Sequence, residues 1–217
     1  MTKDQIIDGL LTPGVVAIIR ADNSEQLIHA SRALIDGGIS GIEVTMTTPN
    51  ALKVIADVRR EFGDKVLAGV GSVLDAKTAE AALEAGAEYV ITPVLKPDVI
   101  AFCNRVGKPV FSGSYTPTEA QTAFELGADF IKIFPAEGLG PKYIQAIRGP
   151  LPHLKIVPTG GVDLNTAGDF IKAGCVAVAV AAGSSLVSKD ILKNQEWAKL
   201  TDLAAQFIAA VATARKK

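Results

Sequence analysis

Residues 127–134 read Gly-Ala-Asp-Phe-Ile-Lys-Ile-Phe, and this short stretch carries the pattern that decides the fold. Its glycine follows a helical pattern, and glycine is favoured just past a helix because it accepts the left-handed conformation without a steric cost. An apolar run of strand type comes next and does not alternate between polar and apolar residues. Such runs are typical of strands that are buried on both faces of a parallel sheet.

The same order of glycine and apolar run recurs along the chain. The glycines that precede such runs are Gly38, Gly63, Gly86, Gly107, Gly127 and Gly174. They recur about every 20–25 residues, a period that fits one helix and one strand. One interval is doubled, and residues 154–157 supply the strand that it would otherwise lack. The predicted strands are 15–19, 41–46, 66–70, 89–92, 110–113, 130–134, 156–159 and 176–180.

The segments between these strands have helical spacing. Leu27, Ala30 and Leu34 share one helix face, and Thr116 with Glu119 matches a capping box at a helix start. Eight strand–helix units predict an α/β protein with a closed (β/α)8 barrel, the TIM-barrel architecture, preceded by a short helix around residues 5–11. We expect residues 1–217 to form a single domain.

A doubly wound open sheet is the alternative architecture. No Gly-x-Gly-x-x-Gly motif follows the first predicted strand, which weakens that alternative. Gly69-Val70-Gly71 does end a predicted strand, but it lacks the third glycine of the motif.

Composition narrows the range of partners. Apolar residues make up 48% of the chain and charged residues 21%, which is typical of a globular protein, and the net charge of −1 provides no field for nucleic acid or an anionic membrane. Two cysteines are too few for a disulfide scaffold or a cysteine zinc site, and they suggest a reducing compartment. No apolar run approaches the roughly 20 residues of a membrane span, and the first residues lack a signal-peptide core. We therefore expect a cytoplasmic protein.

Lys132 is the first candidate for chemistry, because the carboxyl ends of the strands carry the active site in such a barrel. It shares a strand face with Phe130 and Phe134. Burial among apolar groups favours the neutral amine that a Schiff-base nucleophile needs. The alternative is a structural lysine whose stem packs while its ammonium group reaches water.

Glu43 is the second candidate, since a carboxylate within an apolar strand needs a partner. It can be a general acid/base with a raised pKa, or one half of a buried ion pair with Arg20 or Lys132. Two glycine-containing pairs, Gly160-Gly161 and Gly183-Ser184, end the last two strands. They predict a phosphate site there, with simple turn glycines as the alternative.

The remaining candidates are isolated. His29 lies in a predicted helix and His153 in a loop, so neither has the spacing of a metal ligand. A zinc-dependent aldolase or hydrolase is therefore not expected.

Several motifs resemble those of a known family in their order and spacing. They are Glu43-Val44-Thr45, Gly69-Val70-Gly71-Ser72-Val73, Ile91-Thr92-Pro93, residues 131–137, Pro158-Thr159-Gly160-Gly161-Val162 and Gly183-Ser184. The chain resembles the 2-keto-3-deoxy-6-phosphogluconate aldolases, a family that includes 4-hydroxy-2-oxoglutarate and 2-keto-3-deoxy-6-phosphogalactonate aldolases. The resemblance spans nearly the whole chain. It implies a (β/α)8 barrel, a class I mechanism without a metal or other cofactor, and a homotrimer.

The resemblance also implies roles for individual residues. Lys132 matches the Schiff-base lysine and Glu43 the general acid/base, while Ser72 stands where the family usually has the threonine that holds the substrate carboxylate. Pro93 and Phe134 match pocket walls, and Thr45 and Thr159 complete the predicted pocket. The phosphate site would be formed by Gly160, Gly161, Gly183 and Ser184.

The chain departs from the family pattern at several positions. Many members have an arginine four residues after the glutamate, and this chain has Thr47 at that position. Thr47 is still predicted to contribute to the anion-binding site. Other members carry an arginine at the end of the first strand, and Arg20 stands there, which predicts that it binds the carboxylate or the phosphate. Ser112 replaces a common proline, and Ala181 replaces a glycine of some members.

The sequence thus predicts an aldolase that cleaves a 2-keto-3-deoxy-6-phospho sugar acid to pyruvate and glyceraldehyde 3-phosphate, with 4-hydroxy-2-oxoglutarate as a further candidate substrate. The small 2-keto acid is the expected binding partner. The galactonate-derived substrate remains an alternative. So do an isomerase or decarboxylase in which Lys132 acts only through its charge, and a sensor that binds sugar acids without turnover.

Overall fold

A computed structural model describes residues 1–20, 23–180 and 186–216 of the chain. Eight parallel strands follow one another around a single sheet in the order β7-β6-β5-β4-β3-β2-β1-β8. A parallel bridge between Thr159 and Ala179 joins the two ends of that order, β7 and β8. The predicted (β/α)8 barrel is therefore confirmed. The strands are β1 (Val15–Ile19), β2 (Gly41–Thr45), β3 (Leu67–Gly71), β4 (Tyr89–Ile91), β5 (Val110–Ser114), β6 (Phe130–Ile133), β7 (Ile156–Pro158) and β8 (Val178–Val180).

Helices alternate with these strands on the outside of the barrel. They are α1 (Lys3–Leu11), α2 (Ser24–Asp36), α3 (Ala51–Phe62), α4 (Ala76–Glu84), α5 (Pro97–Arg105), α6 (Pro117–Glu125), α7 (Gly140–Arg148), α8 (Ala167–Lys172), α9 (Lys189–Lys193) and α10 (Trp197–Arg215). The predicted capping box of α6 is present, because the Thr116 hydroxyl accepts from the Glu119 amide and the Glu119 carboxylate accepts from the Thr116 amide. No helix among the described residues is long and apolar enough to span a bilayer.

Seven of the predicted strands differ from the observed ones by one or two residues at an end. β8 begins at Val178 rather than at residue 176, and β6 ends at Ile133 rather than at residue 134. The residues left out still form single backbone bonds to the next strand: the Val176 amide donates to the Ile156 carbonyl, and the Phe134 amide donates to the Ser114 carbonyl. Isolated bonds of this kind do not extend a regular ladder.

Each strand divides its side chains between two apolar layers, which explains why the strands are apolar on both faces. The residues of the barrel interior are Ile6, Leu10, Val16, Ile18, Leu67, Tyr89, Ile91, Phe111, Phe130, Val157, Ala177 and Ala179. The opposite faces pack against the helices in a second, larger core. Helix α1 covers the amino-terminal end of the barrel, where a β-carbon on Gly41, the first residue of β2, would lie 2.8 Å from Cδ2 of Leu10.

Candidate active site

Lys132 and Glu43 both project into the barrel interior from strands on opposite sides of the closed sheet. Lys132 pairs in register with Gly113 of β5 and with Val157 of β7, and its neighbour Phe130 belongs to the interior cluster. Lys132 is 6% exposed and Glu43 is 1% exposed. The strand alternation predicted for both residues is therefore observed, and an amine and a carboxylate share the apolar barrel interior near the carboxyl ends of the strands, which is called the chamber below.

A glycine on β3 provides the space for the Glu43 side chain, and a glycine on β5 allows the loop after β4 to approach. A β-carbon on Gly71 would overlap the carboxyl group of Glu43 and would lie 2.7 Å from its Cγ. A β-carbon on Gly113 would overlap the backbone carbonyl of Pro93. The glycines of β3 and β5 thus have a packing role in the upper half of the barrel.

Burial dominates the electrostatics of Glu43. It raises the pKa of the carboxyl group above its usual range, while the positive charges of Lys132 and, more weakly, Arg20 oppose that shift. Oε2 of Glu43 has no hydrogen-bond partner among the described residues. Within residues 1–20, 23–180 and 186–216, neither Lys132 nor Arg20 forms a direct ion pair with Glu43. A carboxyl group with a raised pKa is suited to exchanging protons near neutral pH.

Phe134 contacts the lysine at the mouth of the barrel. Nζ of Lys132 lies 5.1 Å from the centroid of the Phe134 ring, a distance at which the ring attracts a cation. Phe134 itself is 39% exposed, whereas Lys132 is buried. The ring is therefore in a position to contact both the lysine and a ligand that enters from solvent.

Polar side chains surround the mouth at the ends of β2 and β3. The hydroxyl oxygens of Thr45 and Thr47 are 2.8 Å apart, and that of Thr48 lies 3.5 Å from Thr45. Ser72 follows β3 with a φ of 60°, in the left-handed region that a serine rarely adopts. Local strain of this kind is concentrated at functional sites in proteins.

Arg20 and Thr47 lie beside the chamber rather than inside it. Both are exposed, and both line a cleft of about 760 Å³. Helix α9 forms the opposite wall of this cleft. Lys189 and Lys193 of α9 line the same cleft. The sequence did not predict these two lysines as part of the site. Their spacing of four residues, shortly after β8, places both on one helix face and was the signal that could have indicated them.

The end of β7 meets the loop that follows β6. Gly160 and Gly161 have φ angles of 90° and 69°, so the chain requires glycine at both positions. A β-carbon on Gly160 would lie 3.5 Å from the Ala136 amide nitrogen, and Thr159 is buried directly before this turn. Gly183 and Ser184, the other half of the predicted phosphate site, lie outside the described residues.

An aromatic layer forms the floor of the chamber. The ring centroids of Tyr89 and Phe111 are 5.6 Å apart, and those of Phe111 and Phe130 are 4.3 Å apart. The sequence analysis treated Tyr89 only as a strand residue. Strand alternation would have placed it on the same face as Ile91, but which faces point inward depends on closure of the barrel.

Among the described residues there is no group of three or more His, Cys, Asp or Glu side chains that could hold a metal ion.

The fold and this pair of buried side chains define a barrel protein of aldolase type. The family model described as "KDPG and KHG aldolase" matches residues 6–203, and the chain belongs to that family. It is 34% identical to a 2-dehydro-3-deoxy-phosphogluconate aldolase of Treponema pallidum, over 95% of this chain and 97% of the relative. It is 32% identical to a 2-dehydro-3-deoxy-6-phosphogalactonate aldolase of Escherichia coli, over 90% of this chain and 93% of that relative.

Solved structures give the same result. A structure described as native KDPGal superimposes with a TM-score of 0.86 at 31% identity, covering 94% of this chain and 96% of the other. A KDPG aldolase from Legionella pneumophila, with pyruvate captured as a covalent carbinolamine intermediate, superimposes with a TM-score of 0.82 at 27% identity. That match covers 91% of this chain and 96% of the other.

Proposed function

We propose that this protein is a class I aldolase that cleaves 2-keto-3-deoxy-6-phosphogluconate to pyruvate and glyceraldehyde 3-phosphate. The observation that supports the proposal is the pairing of a buried lysine, Lys132, with a buried carboxyl group, Glu43, in one chamber at the carboxyl ends of the strands. Membership of the aldolase family and the covalent pyruvate adduct of the Legionella pneumophila relative agree with it.

The two side chains divide the chemistry between them. The neutral amine of Lys132 attacks the C2 carbonyl carbon to form a carbinolamine. Glu43, in its protonated form, gives a proton to the carbinolamine hydroxyl, which leaves as water, so that a protonated imine and the Glu43 carboxylate remain. Glu43 accepts the proton of the C4 hydroxyl while the C3–C4 bond breaks, and the electron pair of that bond moves into the imine to form an enamine. The aldehyde departs, Glu43 returns a proton to C3, and water hydrolyses the imine to release pyruvate and the free amine.

The residues around the chamber hold the two ends of the substrate in this proposal. Arg20, Ser72 and Thr47 bind the carboxylate or another anionic group. The phosphate is bound by Gly160, Gly161, Gly183 and Ser184. The pocket around the reacting carbons is lined by Thr45, Pro93, Phe134 and Thr159.

Borohydride trapping tests the proposal directly. Reduction in the presence of pyruvate should attach one pyruvyl group to Lys132, as detected by peptide mass spectrometry. Lys132→Ala should lose both the adduct and turnover. Lys155→Ala, which removes an exposed lysine just before β7, should keep both. An adduct that survives in Lys132→Ala, or turnover without any adduct, contradicts the proposal and favours the isomerase or decarboxylase. Binding without turnover favours the sensor. EDTA should leave the cleavage rate unchanged.

The galactonate-derived substrate is the second candidate, favoured by the similarity to the Escherichia coli galactonate aldolase. The two sugar acids differ at one hydroxyl group. Cleavage rates on both acids, with and without the phosphate, and on 4-hydroxy-2-oxoglutarate decide between them, because the preferred substrate should have the highest kcat/KM.

We further propose that residues 1–217 form one domain and that three copies associate in the cytoplasm. Leu74, Val94 and Tyr115 follow the adjacent strands β3, β4 and β5 and are 53%, 51% and 44% exposed, which supports a covered apolar surface there. Light scattering should give three times the monomer mass, and Leu74→Glu should lower it. A single calorimetric transition tests the domain assignment, and cell fractionation tests the location.

A further inference from the structure

Tyr89 reaches across β3 towards the strand that carries Glu43. Glu43 pairs in register with Gly69, and Gly69 pairs in register with Tyr89. A β-carbon on Gly69 would overlap the Tyr89 ring and would lie 2.6 Å from its Cδ2. The phenol ring therefore fills the space over Gly69 that separates the two side chains.

Two polar atoms in this part of the interior need a partner. The hydroxyl group of Tyr89 and Oε2 of Glu43 are both buried, and neither has a hydrogen-bond partner in the described part of the chain. Tyr89 is fully buried and Glu43 is 1% exposed. Leaving a buried hydroxyl or carboxylate without a partner destabilises a protein, so native structures pair such groups with each other or with an internal water. These two orphan atoms lie on side chains that flank the same glycine.

The charges around them favour the hydroxyl as a donor. Burial is the main reason that the pKa of Tyr89 lies well above its usual value, and the negative charge of Glu43 raises it further. The phenol therefore keeps its proton whenever Glu43 is ionised. The charged groups that act on Glu43 from the other strands are Lys132 on β6 and Arg20 beyond β1, and the neighbouring strand β3 contains no titratable residue.

We propose that Tyr89 is a positioning residue for Glu43: its hydroxyl donates a hydrogen bond to the carboxylate, directly or through one buried water. The bond holds the carboxylate in the ionised and oriented form that accepts the proton of the substrate. This inference rests on the proposed aldolase function. A hydrogen bond to the charged form opposes the effect of burial and keeps the pKa of Glu43 closer to the working pH.

Proton exchange on pyruvate isolates the step that involves Glu43. In D₂O the imine and enamine interconvert, and the methyl protons of pyruvate exchange without any aldehyde, which proton NMR follows. Tyr89→Phe removes only the hydroxyl oxygen. It should lower the exchange rate about tenfold, which is less than the roughly 100-fold or more attributed to a general acid–base group itself, because Glu43 remains in place. The yield of the borohydride adduct on Lys132 and the KM for pyruvate should not change. The acid limb of the pH–rate profile should move to higher pH, because the carboxylate loses a donor.

Tyr143→Phe is the matched control, because it deletes a hydroxyl that donates to the Tyr115 carbonyl outside the barrel interior. It should leave the exchange rate and its pH profile unchanged. If the wild type neither exchanges nor forms an adduct, the proposed function fails. If the wild type does both and Tyr89→Phe matches it in rate and pH profile, this inference is overturned. It is also overturned if Tyr89→Phe loses exchange and adduct equally, since the hydroxyl then only supports the fold.

Fluorine NMR keeps the inference testable if Tyr89→Phe does not fold. The chain has three tyrosines, so incorporated 3-fluorotyrosine gives three resonances, and Tyr115→Phe and Tyr143→Phe assign that of residue 89 by elimination. This resonance should titrate with Glu43 in the wild type and should not titrate in Glu43→Gln. A resonance that titrates identically in both proteins contradicts the inference.

Discussion

A β-carbon on Gly71 would overlap the carboxyl group of Glu43, so an alanine at this position would fit only if the Glu43 side chain moved. Gly71 is the last residue of β3 and pairs in register with Thr45, two residues beyond Glu43 on β2. The glutamate side chain therefore leans towards the mouth of the barrel across the empty face of this glycine. The missing side chain at Gly71 positions the carboxyl group opposite Lys132.

Gly71→Ala should therefore inactivate the enzyme without unfolding it. The backbone of Gly71 does not have a positive φ, so alanine is compatible with its conformation, and the conflict falls on the Glu43 side chain. A displacement of about 1 Å at a reacting group can cost about 100-fold in rate, and we expect a loss in kcat of that order. Steady-state kinetics with a melting curve measure the two effects.

Gly168→Ala provides the control, because the new methyl group would meet Cβ of Ala214 at an ordinary 3.7 Å between two outer helices. It should retain full activity. A Gly71→Ala variant as active as this control would show that the glycine does not position Glu43.

Glu43 is expected to lower the stability of the fold at neutral pH. Its pKa is raised on folding, so the folded state binds a proton more tightly than the unfolded state does, and the protein loses stability as pH rises through that interval. Glu43→Gln should be more stable than the wild type at pH 7, by about 1 kcal/mol. That difference corresponds to about 2–4 °C in Tm for a chain of this size.

The same difference should vanish at acid pH, where the wild-type carboxyl group is protonated in both states. Thermal melts of both proteins across the pH range measure this convergence. Glu84→Gln, at an exposed position of α4, should show no comparable stabilisation at pH 7. Equal melting temperatures of wild type and Glu43→Gln at pH 7 would contradict the expected cost of burying the charge.

The ionised carboxylate of Asp57 on α3 is predicted to stabilise the fold, whereas that of Glu43 destabilises it. Hydrogen bonds from Lys53 and Ser24 are the main reason that the pKa of its carboxyl group falls to about 2. The carboxylate lies 2.5 Å from Nζ of Lys53 and 2.6 Å from the guanidinium of Arg60, and it is 6% exposed. Because the folded pKa is depressed, this stabilisation is present above the unfolded value of 3.8 and is lost as pH falls towards 2.

Asp57→Asn should therefore lower stability at pH 7 by about 1 kcal/mol, a modest amount because Lys53 and Arg60 are largely exposed to solvent. Urea unfolding at pH 7 and pH 2.5 measures the effect, which should shrink at the lower pH. Asp202→Asn, at an exposed position of α10, serves as the comparison. A loss that is the same at both pH values would mean that the effect is not electrostatic.

The barrel was predictable because its signals are local. The glycine at position 127 and the apolar run from residue 130 to 133 lie within a few residues of each other, and the same pattern recurs along the chain. Strand alternation predicted which neighbours share a face with Lys132, and the apolar runs around Lys132 and Glu43 indicated that strands covered on both faces would bury them. The exact strand ends were not predictable, because residues such as Val176 form one bond to a neighbouring strand without extending its ladder.

The relationships between strands were not visible in the sequence. Tyr89 approaches Glu43 only because both strands are in register with Gly69, and the register of a closed sheet depends on every strand in it. The lysines of α9 and Arg20 line the same cleft although about 170 residues separate them along the chain. Contacts of this kind join residues that are distant along the chain, and no short motif records them.

Arg20 provides the last prediction. It follows β1 at the point where Ile18, two residues earlier, faces the interior and pairs in register with Glu43. Its guanidinium is exposed in the cleft that Lys189 and Lys193 also line, and its charge reaches Glu43. Thr47 has no charge, so Arg20 is the residue of the predicted carboxylate site that can pair with an anion. A charge-assisted contact contributes roughly 1.5–3 kcal/mol.

Arg20→Ala should therefore lose at least about tenfold in kcat/KM while its melting temperature stays close to that of the wild type. Arg20→Lys should recover part of the loss, because it restores the charge without the two-pronged geometry of a guanidinium. Arg32→Ala, which removes a partner of Glu61 on the outer surface, is the control and should keep wild-type kinetics. If Arg20→Ala is as active as that control, the anion is bound by another group, and Lys189→Ala with Lys193→Ala become the next variants to measure, since those ammonium groups share the cleft.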